Sequence, residues 1–287
     1  MFKIFTFKQL AVISVVVCLI MLLGSLLNTL SPLVSVFAQG KVRVAVIMYH
    51  QISENQAIWG DYVIPLEALR EDFEYMKKHN INPISFKQLS AYVSNGDALP
   101  PNPVVITFDD GERSFLTKVL PLLEEYSYPA NVNIIGSLVE LYTQNGDTDD
   151  RYAYLNKADV KKLSQHSLVE LGCHSYNLHS LSGRRGMGKT YGEGEEAYKS
   201  LIIDDLEKFM ELFEGITGNK TNIIAYPYGI KNSTLTEIVS QKGFTITLTC
   251  REALNTLSVG DSLEELGRFN RPYGKSSQSF FEKIYNS

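Results

Sequence analysis

From Lys41 onward, apolar runs of strand length alternate with stretches in which apolar residues recur every three or four positions. "KVRVAVIMYH" reads as a strand. "PLEALREDFEYMKKHN" reads as an amphipathic helix, with Leu66, Leu69, Phe73 and Met76 at helical spacing. The alternation continues through strand "INPISF", helix "SFKQLSAYVSNG" stopped by Gly96, strand-rich "NPVVITFDDG", helix "SFLTKVLPLLEEYS", strand "ANVNII", helix "NKADVKKLSQHS" capped by Asn156, and strand "LVELGCHSYN". The longest helix, "EEAYKSLIIDDLEKFMELFEGITG", is closed by Gly215 and Gly218. Strand "NIIAYPYG", helix "STLTEIVSQKG" and strand "FTITLT" follow it, and "GRFNRPYG" offers one more strand-like segment. Repeated strand–helix units predict an α/β fold with parallel strands and helices outside. Seven or so units over about 245 residues favour a closed or nearly closed barrel, in which chemistry sits at the C-terminal ends of the strands.

The first forty residues break this pattern. Lys3 and Lys8 precede the long apolar run "LAVISVVVCLIMLLGSLL", and the small-residue site "VFAQG" follows. Residues 1–40 therefore read as a signal peptide, or as an uncleaved membrane anchor, since the run nearly suffices to span a bilayer. Either way, residues 41–287 are expected as one domain outside the cytoplasm, secreted or held at the outer face of the cell membrane. The full chain carries 27 basic and 32 acidic residues, a net charge of -5. That balance argues against a nucleic-acid partner, which needs a basic face. Cys173 and Cys250 are either free thiols or one disulfide.

Several strand ends carry polar residues that can converge: Asp109-Asp110-Gly111 after "VVITF", His174 and His179 in "HSYNLH", "YPYG" at Tyr226 to Gly229, and His50 after the first strand. His174 and His179 are five apart, about 140° on a helix, so they can share an ion only where a strand runs into a turn. Two adjacent carboxylates after an apolar strand are costly unless used. Successive strand residues point to opposite sides, so one can face a metal and the other the attacking water. Gly111 permits the turn that follows. Together these residues predict one Asp and two His around a divalent ion, with the second Asp as base: hydrolysis of an amide or ester.

"TFDDG", "HSYNLH" and "YPYG", in this order and at these separations, resemble the polysaccharide deacetylase family of carbohydrate esterases, the NodB homology domain. The resemblance runs from about Val42 to the C-terminus. It implies a distorted (β/α)7 barrel that removes acetyl groups from N-acetylglucosamine polymers or acetylated xylan, with zinc as the first expectation and cobalt or nickel as alternatives. It implies Asp109 as general base and Asp110, His174 and His179 as metal ligands. It also implies that backbone N–H near Tyr228, in the Tyr226-Pro227-Tyr228 turn, holds the oxyanion. Two departures stand out. Where the family commonly has R-x-P-Y this chain has Ala225-Tyr226-Pro227-Tyr228, so the base-orienting arginine is missing; Arg268 or Arg271 is expected to replace it. The late segment "ITLTCREALN" lacks the acid histidine. His50, in "MYHQI", resembles the N-terminal acid histidine of the poly-β-1,6-N-acetylglucosamine deacetylase branch. The expected substrate is therefore an N-acetylglucosamine polysaccharide. Peptidoglycan, chitin oligomers or acetyl-xylan are alternatives, and a catalytically weak glycan-binding module is the alternative of another class.

"GRRGMGKT", Gly183 to Thr190, matches the phosphate-loop pattern G-x-x-x-x-G-K-[ST]. It follows a loop, and Gly192 and Gly194 disfavour the helix a phosphate loop must open, so no nucleotide is expected. Its cations Arg184, Arg185 and Lys189 read as a flexible, solvated rim loop. Trp59 and the tyrosines of "AIWGDY" and "DRYAYL" either stack on sugar rings or pack. His79 and His166 read as surface residues, and the acidic "NGDTDD" as a solvated turn.

Overall fold

The computed structural model describes residues 40–285. The leader lies outside them; among the described residues no helix is long and apolar enough to cross a membrane. In chain order the elements are β1 (Val42–Tyr49), β2 (Gln51–Ile52), β3 (Val63–Ile64), α1 (Leu66–Lys78), β4 (Asn82–Pro83), α2 (Phe86–Asn95), β5 (Pro103–Phe108), α3 (Leu120–Tyr126), β6 (Ala130–Ile134), α4 (Gly136–Asn145), α5 (Lys157–Ser164), β7 (Val169–Cys173), α6 (Glu195–Thr217), β8 (Ile223–Ala225), α7 (Ser233–Gln241), β9 (Ile246–Leu248), β10 (Asn255–Leu257), β11 (Leu263–Leu266), β12 (Phe269–Asn270) and α8 (Ser277–Tyr285).

The main sheet runs β10-β1-β5-β6-β7-β8-β9-β11, with β12 also on β1 and β4 on β5. The pairs from β1 to β9 are parallel, as the strand–helix alternation predicts. The result is a nearly closed α/β barrel. β1 and β5 are buried on both faces, which is why they read as continuous apolar runs. Leu69, Phe73 and Met76 turn one stripe of α1 onto the sheet and are fully buried. Each such side chain contributes about 1.5–3 kcal/mol.

Local signals account for the element ends. Ser85 with Gln88, and Asn156 with Asp159, form capping boxes at the starts of α2 and α5. Gly96 and Gly218 end α2 and α6 in the left-handed region. Gly215 lies inside α6, so it does not close the helix as its composition suggested. Between β5 and α3 the chain makes a wide π turn, Phe115–Val119, just before Pro121, which has no N–H to continue an ordinary ladder. α4, β10, β11 and α8 were not expected from the pattern, and "INPISF" keeps only the two-residue β4. Cys173 is buried, Cys250 is exposed, and both are free thiols.

Candidate active site

The parallel strands bring their C-terminal ends to one place. Asp109 and Asp110 follow β5, His174 follows β7, the Tyr226–Tyr228 turn follows β8, His50 follows β1, and Arg268 follows β11. Three residues hold left-handed backbone there, Asp110 (φ 73), Ser175 (φ 70) and Tyr228 (φ 58). Such backbone is costly for non-glycine residues and clusters at functional sites. Strand alternation does not separate the two aspartates. Asp110 lies beyond β5, and its positive φ re-aims it toward the histidines. Gly111 (φ 76) completes the bend, and a Cβ there would meet Ile134 Cγ2 at 2.9 Å.

Asp110 Oδ1 lies 3.4 Å from His174 Nε2 and 3.2 Å from His179 Nε2. The ligand atoms of these three residues lie within 4.8 Å of one another. His174 Nδ1 is 2.7 Å from the Ala225 carbonyl, so Nδ1 carries the proton and Nε2 turns a lone pair inward. Asp110 Oδ1 is buried with no hydrogen-bond donor. Lone pairs facing one another across this space suit a cation, and two imidazoles with one carboxylate suit a divalent ion with open positions. Tyr228 packs on His179 at 4.7 Å between ring centroids, with its hydroxyl 3.3 Å from Nδ1. The turn between the histidines is held from α6: the Asp205 carboxylate accepts the Tyr176 and Asn177 N–H groups at 2.8 Å each.

Asp109 is buried and held by a fork. Arg268 Nη1 donates to Oδ1 and Nη2 to Oδ2, both at 2.8 Å. Asn133 Nδ2 donates to Oδ1, also at 2.8 Å. Burial alone would raise the Asp109 pKa; the Arg268 charge, joined by His174, outweighs it and holds the carboxyl well below its usual range. Of the two arginines expected to replace the one missing at Ala225, Arg268 is the one that contacts Asp109, while the Ala225 carbonyl meets His174. Arg271 does not share this place. It pairs with Asp72 of α1, Nε to Oδ2 at 2.8 Å and Nη2 to Oδ1 at 3.0 Å. Arg268 and Arg271 are three apart in an extended segment, so they point to opposite faces.

His50 lies within electrostatic reach of Asp109, Asp110, Arg268 and His174; burial lowers its pKa against the pull of the two carboxylates. Its ring meets Tyr62 edge-on at 4.7 Å, and its Nδ1 is buried without a partner. The sequence pattern gave no sign of Glu112. Its carboxyl is raised well above the usual range by burial and by Asp110, and its Oε2 is buried without a partner. Tyr226 and Pro227 are buried and shape the turn, while Tyr228 is exposed.

The rim departs from expectation. The "GRRGMGKT" loop is tied down: Met187 is fully buried, and a Cβ on Gly186 would meet the Pro227 carbonyl at 2.8 Å. Arg184 pairs with Glu193, and Lys189 with Glu195. No helix opens at Lys189-Thr190; α6 begins at Glu195. Arg185 is exposed. Trp59 is half-buried against Tyr273 and donates Nε1–H to the Ser53 carbonyl at 2.7 Å, so it packs. In "NGDTDD", Asp149 pairs with Arg151 and Asp150 with Lys118. His79 stacks on Tyr75, and His166 bonds Glu124.

The model for the polysaccharide deacetylase family matches residues 96–247. A poly-β-1,6-N-acetyl-D-glucosamine N-deacetylase of Escherichia coli strain K12 is 27% identical over 257 residues, covering 83% of this chain and 38% of that protein. One of the same name from Staphylococcus aureus strain MSSA476 is 26% identical over 184 residues, covering 64% of this chain and 59% of that protein. The chain thus spans less than two thirds of either relative. The solved structure of a de-N-acetylase from Aggregatibacter actinomycetemcomitans matches with a TM-score of 0.72 at 22% identity, covering 84% of this chain and 99% of that one. The BpsB deacetylase domain from Bordetella bronchiseptica matches with a TM-score of 0.64 at 25% identity, covering 80% and 97%.

Proposed function

The chain belongs to the polysaccharide deacetylase family, and from that premise we propose that it hydrolyses the N-acetyl groups of an N-acetylglucosamine polysaccharide outside the cytoplasm, with the β-1,6-linked polymer as first substrate. The observation that carries this reading is the convergence of Asp110, His174 and His179 beside the forked Asp109. The substrate is the one named for the E. coli and S. aureus relatives. The extracytoplasmic setting rests on the apolar leader at residues 1–40.

Asp110, His174 and His179 are the residues that would hold a divalent ion, zinc first by donor set. Such an ion supplies Lewis acidity, lowering the pKa of water and polarising the acetyl carbonyl. Asp109 takes a proton from the attacking water as that oxygen bonds the acetyl carbon. His50 gives its proton to the leaving nitrogen as the C–N bond breaks, and the proton on Asp109 returns through solvent to His50. Burial makes the charged His50 ring a stronger acid, which favours its donation once protonated. The backbone N–H of Tyr228 steadies the developing oxyanion.

The test is acetate release by the purified full-length chain, supplied with zinc or cobalt, from β-1,6- and β-1,4-linked N-acetylglucosamine oligomers and from peptidoglycan. Release from the β-1,6 set first is expected. Release confined to another polymer moves the substrate and keeps the chemistry. Binding of oligomers without acetate from any of them, with metal shown to be bound, would leave a glycan-binding module and overturn the enzyme reading.

A further inference from the structure

β6 turns two asparagines, Asn131 and Asn133, into the interior, and both are fully buried. A barrel layer is ordinarily filled by branched apolar side chains, and an unused buried amide costs about 1–3 kcal/mol. Asn131 bonds the Glu170 carbonyl of the next strand at 3.2 Å. Asn133 instead reaches Asp109, and its own Oδ1 has no partner. The amide orientation follows from this contact: turned over, its oxygen would face a carboxylate oxygen at hydrogen-bond distance. Opposite Asn133 in the β6–β7 register stands Gly172. A Cβ at position 172 would land 2.1 Å from Asn133 Oδ1, so only glycine leaves the amide its place.

The donors on Asp109 are unequal. Oδ1 receives Arg268 Nη1 and Asn133 Nδ2, while Oδ2 receives Arg268 Nη2 alone. A carboxylate oxygen has two in-plane acceptor positions, so Oδ1 is filled and Oδ2 keeps one open. We propose that Asn133, in the clearance left by Gly172, is a positioning residue that fixes the rotation of the Asp109 carboxylate and makes Oδ2 the oxygen that takes the proton from water. This rests on the functional reading above. In the step, a water O–H bond breaks, an O–H bond forms on Oδ2, and the water oxygen bonds the acetyl carbon. The Arg268 fork treats the two oxygens alike; the asymmetry comes from Asn133.

The experiment compares Asn133→Leu with Asn131→Leu in the full-length chain, reading kcat, KM, bound zinc and melting temperature. Asn133→Leu should lower kcat about ten- to a hundredfold, the range for one hydrogen bond to a charged group, with KM and zinc content unchanged. Asn131→Leu should leave kcat unchanged at a similar melting temperature. Because a leucine facing Asp109 risks misfolding, Gly172→Ala with Asn133→Ala is the second variant: the new methyl fills the space the amide vacates. It should melt near the parent and still show the lower kcat, whereas Asn133→Ser, which restores a short donor, should recover part of it. Parental kcat in either Asn133→Leu or the double variant, or an equal fall in Asn131→Leu, overturns the proposal. A parent that releases no acetate from any polymer fails the functional reading instead. The positional claim then stands or falls on a crystal structure of Asn133→Leu, where a rotated Asp109 carboxylate is expected and an unmoved one refutes it.

Discussion

Two buried arginine–aspartate pairs lie three residues apart along the same segment, and the barrel puts them to different uses. Arg268 forks Asp109 at the strand ends; Arg271 forks Asp72 on the outer side, against α1. Both pairs are almost wholly shielded from water. The difference lies in what surrounds each carboxylate. Asp109 has His174, His50 and Asp110 nearby and keeps an acceptor position on Oδ2. Asp72 takes the Tyr49 hydroxyl at 3.0 Å as a further donor, and the Phe280 ring lies 5.1 Å from the Arg271 guanidinium. A buried pair is therefore no mark of function by itself. The mark is a paired carboxylate with an open position facing other reactive groups.

The sharpest way to break this comparison is to neutralise each carboxylate in turn. On the proposed function, Asp109→Asn should cut kcat for acetate release by about 10²–10⁴-fold, the weight of a general base, while the capacity to bind a divalent metal stays parental. Asp72→Asn should leave kcat per folded molecule close to the parent. Equal losses of rate at both positions would erase the distinction. Stability separates the pairs from the other side. Arg271→Met leaves Asp72 buried and unpaired and should cost about 3–5 kcal/mol in denaturant unfolding. Adding Asp72→Leu should return most of that loss, because a well-packed apolar pair often matches a buried ion pair. A double variant that stays as unstable as Arg271→Met would mean that the pair itself, rather than the unpaired charge, holds α1 to the barrel.

The two pairs also show how far the sequence could be read. Asp109, Asp110, His174 and His179 are legible together: Asp-Asp-Gly and H-x4-H say little alone, and their order and separation along the chain give them meaning. Arg268 and Arg271 were legible only as alternatives at that level, although period-two alternation permits just one of them to face the site. Asn133 and Glu112 gave no signal. The role proposed for Asn133 depends on the register that sets it against Gly172, and Glu112 stands out only through its burial beside Asp110. The barrel followed from the alternation of apolar runs. α4 escaped because it opens on Gly136 directly after a strand without a capping side chain, and Gly215 misled because a long packed helix tolerates one glycine.

A third arginine–carboxylate pair marks the low end of the scale. Arg184 and Glu193 close the "GRRGMGKT" loop at the surface, with Arg184 Nη1 at 3.0 Å from Oε2. The hydrogen bond from Arg184, helped by the Thr190 N–H at 3.0 Å, lowers the Glu193 pKa to about 2 from the usual 4.5. A folded-state value below the unfolded one means the contact stabilises fully above pH 4.5 and fades as pH falls toward 2. The pair is part-buried and ties down one rim loop, so the global melting temperature should hardly register this loss. Hydrogen exchange should: protection of the amides around 184–193, corrected for intrinsic rates, should drop between pH 4.5 and pH 2.5, and Glu193→Gln should show the lower protection already at pH 6. If protection there follows only the global unfolding of the barrel, the loop is held by the buried Met187 and the close glycine contacts, and its ion pair is dispensable.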